Sequence, residues 1–215
     1  MRTTSLAEAV ERIADGASVT VGGFMGVGTP ERVIDEIVRK GKCRLTVIGN
    51  DTALPGVGIV KLVSAGAVSK VVASHIGLNP ETQKKMLAGD IEVELVPQGT
   101  LIERIRAAGY GLGGVLTPTG VGTVVEEGKQ KITVDGHDYL LEKPLRADFA
   151  LVEAFLADYL GNLTYALTAR NFNPVIAMAA KTVIVDAEHV VPVGMIPPDH
   201  VMTPCVLVDY LVART

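Results

Sequence analysis

Val19-Thr20-Val21-Gly22-Gly23-Phe24-Met25-Gly26-Val27-Gly28-Thr29-Pro30 is the stretch that decides how the rest of this 215-residue chain is read. An apolar strand runs into four glycines within seven residues, and Pro30 stands where a helix with Glu31 to Lys40 as its body begins. Thr29 is the N-cap that this order predicts, and a proline at the first helical position loses no N–H that the helix needs. Two readings of the glycines stand side by side. Glycines ahead of a helix start let a ligand approach the main chain, and the free N–H groups and dipole of the first turn favour an anion, which points to a phosphate-bearing ligand. Alternatively the segment is a tight strand-to-helix turn whose glycines answer positive φ or close packing. The spacing is neither G-x-G-x-x-G nor G-x-x-x-x-G-K-[ST], so it is not a standard nucleotide loop.

Working outward, the order of strand, turn and helix recurs. Before the glycines, Leu6, Ala9, Val10 and Ile13 have helical spacing over Ser5 to Ile13, and Asp15-Gly16 ends that helix. After them, Val33, Ile34, Ile37 and Val38 give the second helix one buried face and Gly41 stops it. Arg44 to Gly49 is the second strand, and it ends in Asn50-Asp51-Thr52, at the carboxyl end where open α/β sheets hold their ligands. Val68 to His75 reads as a third strand, followed by a helix from Asn79-Pro80-Glu81 to about Ala88. Glu92 to Val96 is a fourth, followed by Pro97-Gln98-Gly99-Thr100 and a helix through Arg106. Repeated βα order implies right-handed crossovers and a mainly parallel sheet.

The middle of the chain changes character. Gly109 to Thr123 is too rich in glycine for a regular element and too apolar for a disordered linker, so an ordered loop is predicted. Lys129 to Leu141 alternates around Asp135-Gly136, a two-residue hairpin signal. Ala147 to Ala154 and Lys181 to Asp186 return to the buried-strand pattern, with Arg170-Asn171-Phe172-Asn173-Pro174 leading into a short Ala-rich helix between them. The apolar Cys205 to Ala213 reads as a last strand or a partner-contacting segment. The predicted fold class is therefore α/β, an open, mainly parallel sheet flanked by helices with an inserted hairpin, in a single domain over residues 1–215.

Composition narrows the function. Hydrophobic residues make up 48% and aromatic residues 4%, so the apolar content is mostly Val, Ala, Leu and Ile, as buried parallel strands require, with enough surplus to suggest a subunit interface. A net charge of −4, no Lys/Arg run and few aromatic residues for base stacking argue against nucleic-acid binding. Cys43 and Cys205 stand alone, so neither a disulfide framework nor a metal site is signalled, and reduced thiols in the cytoplasm are expected. With no basic-then-apolar leader and no apolar run of about 20 residues, a soluble protein without membrane contact is expected.

Several ordered blocks carry a resemblance. These are Asp15-Gly16 leading into Gly22-Gly23-Phe24 with Gly28 and Pro30, then Gly49-Asn50-Asp51-Thr52, Ser74-His75-Ile76-Gly77, Val96-Pro97-Gln98-Gly99-Thr100-Leu101, the loop at Gly109 to Thr123, Glu126-Glu127-Gly128-Lys129, and Arg170-Asn171-Phe172-Asn173-Pro174. Together they make the sequence similar to the alpha subunit of the family I CoA-transferases, over nearly the whole chain. Thr20 departs slightly, standing where that family usually has an apolar strand residue.

The resemblance implies an exchange of CoA between acetoacetyl-CoA, or another short-chain acyl-CoA, and a short-chain carboxylate such as acetate or butyrate. A glutamate attacks the thioester to give an anhydride and CoA thiolate, and the thiolate returns to form a glutamyl-CoA intermediate, so one hard exchange becomes easier steps. In two-chain members that glutamate belongs to a beta subunit, which makes this chain half of an active site in a heterooligomer. CoA enters as a substrate and no cofactor is implied. Asn50 and Gln98 match positions whose amides reach the substrate carboxylate or thioester oxygen; without the resemblance, each reads first as a helix cap. Gly22, Gly23, Phe24, Met25, Gly26, Val27 and Gly28 match the proposed CoA-binding stretch, while Gly109 to Thr123 would shape the acyl pocket or the subunit interface.

Other candidates read more blandly. Glu126-Glu127 could supply a nucleophile, although a solvated pair opening a hairpin is the commoner outcome. His75 is a candidate base but reads better as a hydrogen-bonded structural histidine. Arg170 could meet a phosphate, a carboxylate or an interface partner. Two further functions fit the same residues, a CoA-dependent hydrolase subunit and a non-catalytic ligand-binding module.

Overall fold

The structure, a computed structural model, describes residues 1–212. In chain order its elements are β1 (Arg2–Thr4), α1 (Leu6–Glu11), β2 (Ser18–Val21), α2 (Glu31–Arg39), β3 (Leu45–Asp51), α3 (Ile59–Ser64), β4 (Val68–His75), α4 (Pro80–Ala88), β5 (Glu92–Leu95), α5 (Gln98–Gly109), β6 (Val115–Thr117), β7 (Lys131–Val134), β8 (His137–Glu142), β9 (Ala147–Asp158), β10 (Leu163–Thr164), α6 (Asn173–Ala179), β11 (Ala180–Val191) and β12 (Tyr210–Val212). The nine-stranded main sheet runs β1-β12-β11-β9-β2-β3-β4-β5, with β10 alongside β9. Its pairings are parallel apart from the antiparallel β9–β10 pair. The expected open parallel sheet with flanking helices is what forms.

Alternation sorts the strand side chains between two cores. Val47, Val71, Leu151 and Ile184 pack with Ile13, Ile34 and Leu62 on the face covered by α1, α2 and α3. Their neighbours Ile48, Val72, Val152 and Val185 pack with Leu101, Ile105 and Ile176 on the face covered by α5 and α6. Strands buried on both faces read as continuous apolar runs, which is why β4 was readable from Val68 to His75. Helix starts were readable where a side chain caps them: Ser5 and Glu8 form a capping box on α1, and Asn79 accepts from the Glu81 and Thr82 amides at the start of α4. Thr20 points into the α5–α6 layer by the same alternation, and its buried hydroxyl has no hydrogen-bond partner among the described residues.

Five expectations need correction. Thr29 is not the N-cap of α2: Pro30 occupies that position, outside the helix and without a side-chain cap bond, because the Thr29 hydroxyl packs against Gly23. Helix α3 was not foreseen, since Ile59-Val60-Lys61-Leu62-Val63 has no clear period and Gly58 supplies no cap. The first turn of α5 includes Gln98-Gly99-Thr100, and the helix continues past Arg106 to Gly109. Within the glycine-rich Gly109 to Thr123, Val115–Thr117 is a strand, paired with β8. Strands β9 and β11 each run 12 residues, longer than the sequence pattern indicated. Their carboxyl halves pair with each other beyond β2, and there Glu188 and His189 are exposed, so the apolar run that marks a buried strand stops early.

The inserted hairpin forms as expected, with Asp135 and Gly136 at φ 50° and 76° in a two-residue turn between β7 and β8. With β6 it makes a separate three-stranded antiparallel sheet. Arg104 of α5 ties this sheet to the main one, donating to the Lys143 carbonyl at 3.0 Å and to Glu94 at 3.1 Å. At the chain's end, Cys205–Leu207 is a 3-10 turn and β12 follows; Ala213 lies outside the described residues. Among the described residues no helix is long and apolar enough to cross a membrane.

Asp148 fastens the starting ends of three central strands. Its carboxylate accepts from the Ser18 amide at 3.0 Å and the Ser18 hydroxyl at 2.7 Å on β2, and from the Lys181 ammonium at 2.8 Å on β11. The Lys181 ammonium, with the two Ser18 donors, lowers its carboxyl to about 2. A carboxylate depressed in the folded state contributes stability above its unfolded value of about 3.9, and loses it as the pH falls through the folded value. Urea titrations from pH 5 to pH 2 are expected to show a steeper loss of stability in the wild type than in Asp148→Asn. Parallel curves would exclude Asp148 as a source of acid lability.

Candidate functional site

From β2 the sheet steps outward through β3, β4 and β5, while from β9 it steps the other way through β11 and β12. The winding therefore reverses between β2 and β9. In open α/β sheets, ligands bind outside the carboxyl ends of the strands at such a switch point. The element this chain places there is the glycine stretch.

The Gly22 amide donates to the Leu151 carbonyl at 3.0 Å, continuing the β2–β9 pairing. Phe24 and Val27 then exchange both backbone hydrogen bonds, at 2.9 and 3.0 Å, around Met25 and Gly26 with φ of 51° and 90°. This is a two-residue hairpin with a primed turn, which accounts for the glycine at its second position. Asn173, fully buried, grips the base: its Nδ2 donates to the Gly28 carbonyl at 2.8 Å and to the Ala169 carbonyl at 3.0 Å, and its Oδ1 accepts from the Glu153 amide at 3.0 Å. A Cβ on Gly22 would overlap that Oδ1. The tip is held by Asp51, whose Oδ2 accepts from the Met25 amide at 3.0 Å and Asn50 Nδ2 at 2.8 Å, while Oδ1 accepts from the Ala53 amide at 2.7 Å.

Of the two readings of the glycines, the hairpin follows the packing one. The segment does not wrap the start of α2, and the first turn of that helix carries its own carboxylate, Glu31, paired with Lys61 at 2.7 Å. The hairpin instead presents Phe24, Met25 and Val27 outward, each more than a third exposed at 38%, 39% and 44%. Such a surface suits an apolar portion of a ligand better than a phosphate.

Asn50 and Gln98 leave the sheet on the same side. Ile48 packs in the α5–α6 layer, so Asn50, two residues on, faces the layer to which Gln98 belongs. Asn50 is 4% exposed. Because a carboxylate only accepts, its Nδ2 must face Asp51, which fixes the amide's orientation. That leaves Oδ1 buried with no partner among the described residues.

Gln98 stands at the first position of α5, and with Phe24, Thr168 and Asn171 it lines a cavity of about 330 Å³. This is the small end of the usual range for ligand pockets, about 300–1,000 Å³. The structure thus joins Phe24 of the hairpin to Gln98, and Asn50 is not part of the cavity wall. Thr168 and Asn171 were not singled out as site residues. Asn171 belongs to the Arg170 to Pro174 block that carries the family resemblance, and Thr168, in the 3-10 turn Leu167–Arg170, carries no local signal.

The remaining candidates lie elsewhere. His75 is exposed at the end of β4, its ring close to Gly77, with no hydrogen bond among the described residues, so the hydrogen-bonded role read for it is not found. Arg170 donates to the Tyr165 carbonyl at 3.3 Å and borders a second cavity, of about 640 Å³, with Phe155 and Met195. Glu126 accepts from the Gly122 amide at 2.7 Å and pairs with Lys131 at 3.2 Å, as a hairpin-opening carboxylate would. Both cysteines are free thiols.

A doubly wound α/β sheet whose switch point is filled by a pinned hairpin, with an amide-bearing cavity beside it, is the architecture in which α/β proteins place a ligand site. The coenzyme A transferase family matches residues 3–214, and the chain belongs to that family. It is 54% identical over 208 residues to the acetate CoA-transferase subunit alpha of Escherichia coli (strain K12), covering 97% of this chain and 94% of that one. It is 52% identical over 198 residues to the acetoacetyl-CoA:acetate/butyrate CoA transferase alpha subunit of Clostridium acetobutylicum, covering 92% and 91%. The fold superposes with a TM-score of 0.87 and 25% identity on an acyl-CoA transferase from Escherichia coli O157:H7 solved as a thioester complex with CoA. That match covers 99% of this chain and 47% of the other, so this chain spans about half of that protein. Within the family it is a CoA-transferase subunit of the alpha type.

Asp51 is 7% exposed and couples Asn50 to the hairpin tip. Asp51→Ala removes both acceptor oxygens and leaves the Met25 and Ala53 amides without their partner, at a cost of about 1–3 kcal/mol for a buried donor. Amide hydrogen exchange should accelerate at Met25 while Gly22, bonded to Leu151, keeps its protection. Unchanged exchange at Met25 would mean that Asp51 does not hold the tip.

Proposed function

We propose that this chain is the alpha half of a heteromeric CoA-transferase that moves CoA between acetoacetyl-CoA, or another short-chain acyl-CoA, and acetate or butyrate. The observation that carries this reading is the makeup of the cavity at the carboxyl ends of the strands. Its walls contribute the neutral side chains of Phe24, Gln98, Thr168 and Asn171 and no carboxylate. Such a wall can position a thioester and stabilise an oxyanion, whereas the attacking glutamate comes from the beta subunit. The names of the alpha-subunit relatives support the same division.

In the proposed reaction the partner's glutamate carboxylate attacks the acyl-CoA carbonyl, and the tetrahedral oxyanion collapses with expulsion of CoA thiolate to leave an acyl-glutamyl anhydride. The thiolate then attacks the glutamyl carbonyl, releasing the first carboxylate and forming the glutamyl-CoA thioester, which the acceptor acid resolves by the reverse sequence. Gln98 donates an amide N–H to the developing oxyanion, as a neutral group that adds no competing charge. Asn50, outside the cavity wall, acts through Asp51, which it shares with the Met25 amide at the hairpin tip. The hairpin residues Gly22 to Gly28 pack along the apolar part of CoA through Phe24, Met25 and Val27. CoA is a substrate here and no resident cofactor takes part. The free thiols Cys43 and Cys205 agree with a cytoplasmic setting.

Exchange between acetoacetyl-CoA and acetate or butyrate is expected only when the chain is assembled with its beta subunit, with ping-pong kinetics. In that assembly Gln98→Ala should lower kcat about 10²–10³-fold, the loss associated with one oxyanion donor, and Asn50→Ala should act in the same direction. Full activity from this chain alone, or wild-type kcat and KM in both variants, would overturn the reading.

A further inference from the structure

Asn171, half-buried, lines the cavity with Phe24, Gln98 and Thr168. The four lining residues are all uncharged. Its backbone is fixed, with the amide donating to the Thr168 carbonyl at 2.9 Å, and it is followed by the fully buried Phe172 and the clamped Asn173. The Asn171 carboxamide makes no hydrogen bond among the described residues, in contrast to Asn173 two positions on, where both Nδ2 hydrogens are engaged. A donor held on a rigid support at a cavity wall, with no partner of its own, is arranged for a ligand.

The chemistry of the wall sorts the acyl groups that could lie against it. An acyl chain ending in a second carboxylate would bring a charge to a wall with no cation, which is costly. A plain alkyl chain would desolvate the Asn171 amide and give it nothing in return. A ketone oxygen is a neutral acceptor and satisfies the N–H without importing charge. With Gln98 donating to the thioester oxygen, a second carbonyl along the same acyl chain is the group that would occupy the second amide.

We propose, building on the transferase reading above, that Asn171 is a specificity-determining residue that recognises a 3-oxo group, its Nδ2–H donating to the ketone oxygen of a 3-oxoacyl thioester. It discriminates between acyl chains and takes no part in bond making or breaking.

The test uses the assembled alpha–beta enzyme with acetate as common acceptor and compares kcat/KM for acetoacetyl-CoA with that for butyryl-CoA, which lacks the ketone. The ratio of the two does not depend on the fraction of enzyme that folds. In Asn171→Ala the ratio should fall about tenfold, the worth of one neutral hydrogen bond, and in the near-isosteric Asn171→Asp, which no longer donates, by at least as much. A ratio within about twofold of wild type in either variant would overturn the assignment while the transferase function stands. A wild-type assembly that exchanges CoA with neither thioester would overturn both.

Discussion

One buried amide holds together the parts from which the site is built. Asn173 engages the Glu153 amide on β9, the Gly28 carbonyl at the base of the hairpin and the Ala169 carbonyl in the turn that carries Thr168. An asparagine fully removed from water is tolerated only when its donors are satisfied, and here both are. Because Gly28 lies 145 residues from Asn173 while Glu153 and Ala169 are nearer in the chain, the bond set decides where the hairpin sits relative to the middle of β9 and the Thr168–Asn171 turn. Gly22 is glycine because Asn173 needs the space its Cβ would fill.

Asp51 does the complementary work at the other end of the hairpin. A buried carboxylate is costly unless donors surround it, and it draws in the Met25 amide, the Ala53 amide and the Asn50 carboxamide. The hairpin is thereby pinned at tip and base, and Asn50 is oriented by the same group. Gln98 is exposed, and only its backbone is placed, by the start of a 12-residue helix whose Leu101 and Ile105 are buried in the core. The cavity it shares with Phe24, Thr168 and Asn171 is lined by uncharged side chains.

Local signals explain which elements were legible. Strand β4 was bounded by its apolar run, α4 by Asn79-Pro80, and the β7–β8 turn by Asp135-Gly136, each a property of a few consecutive residues. Helix α3 had no cap and an ambiguous period, so nothing local marked it. Strands β1 and β12 are three residues each and exist because Arg2 to Thr4 meets Tyr210 to Val212 from the opposite end of the chain. At the site, Phe24 and Gln98 could be singled out by their match to a family pattern. Thr168 could not, since only its position in space, beside Gln98, makes it part of a wall.

By itself the sequence determined the layer order, the parallel sheet, the inserted hairpin and the family, because hydrophobic period, turn chemistry and ordered motif blocks are local and survive being read one segment at a time. Only the tertiary structure decided the shape the glycines take. That Gly22 to Gly28 folds into a pinned hairpin depends on Asn173, more than 140 residues away, and on the Asp51 carboxylate in the next strand. The same holds for the cavity, whose walls come from the hairpin, the first turn of α5 and the Thr168–Asn171 turn. Hydrogen bonds and close packing between such distant segments leave no periodic trace in the chain, so their outcome appears only once it has folded.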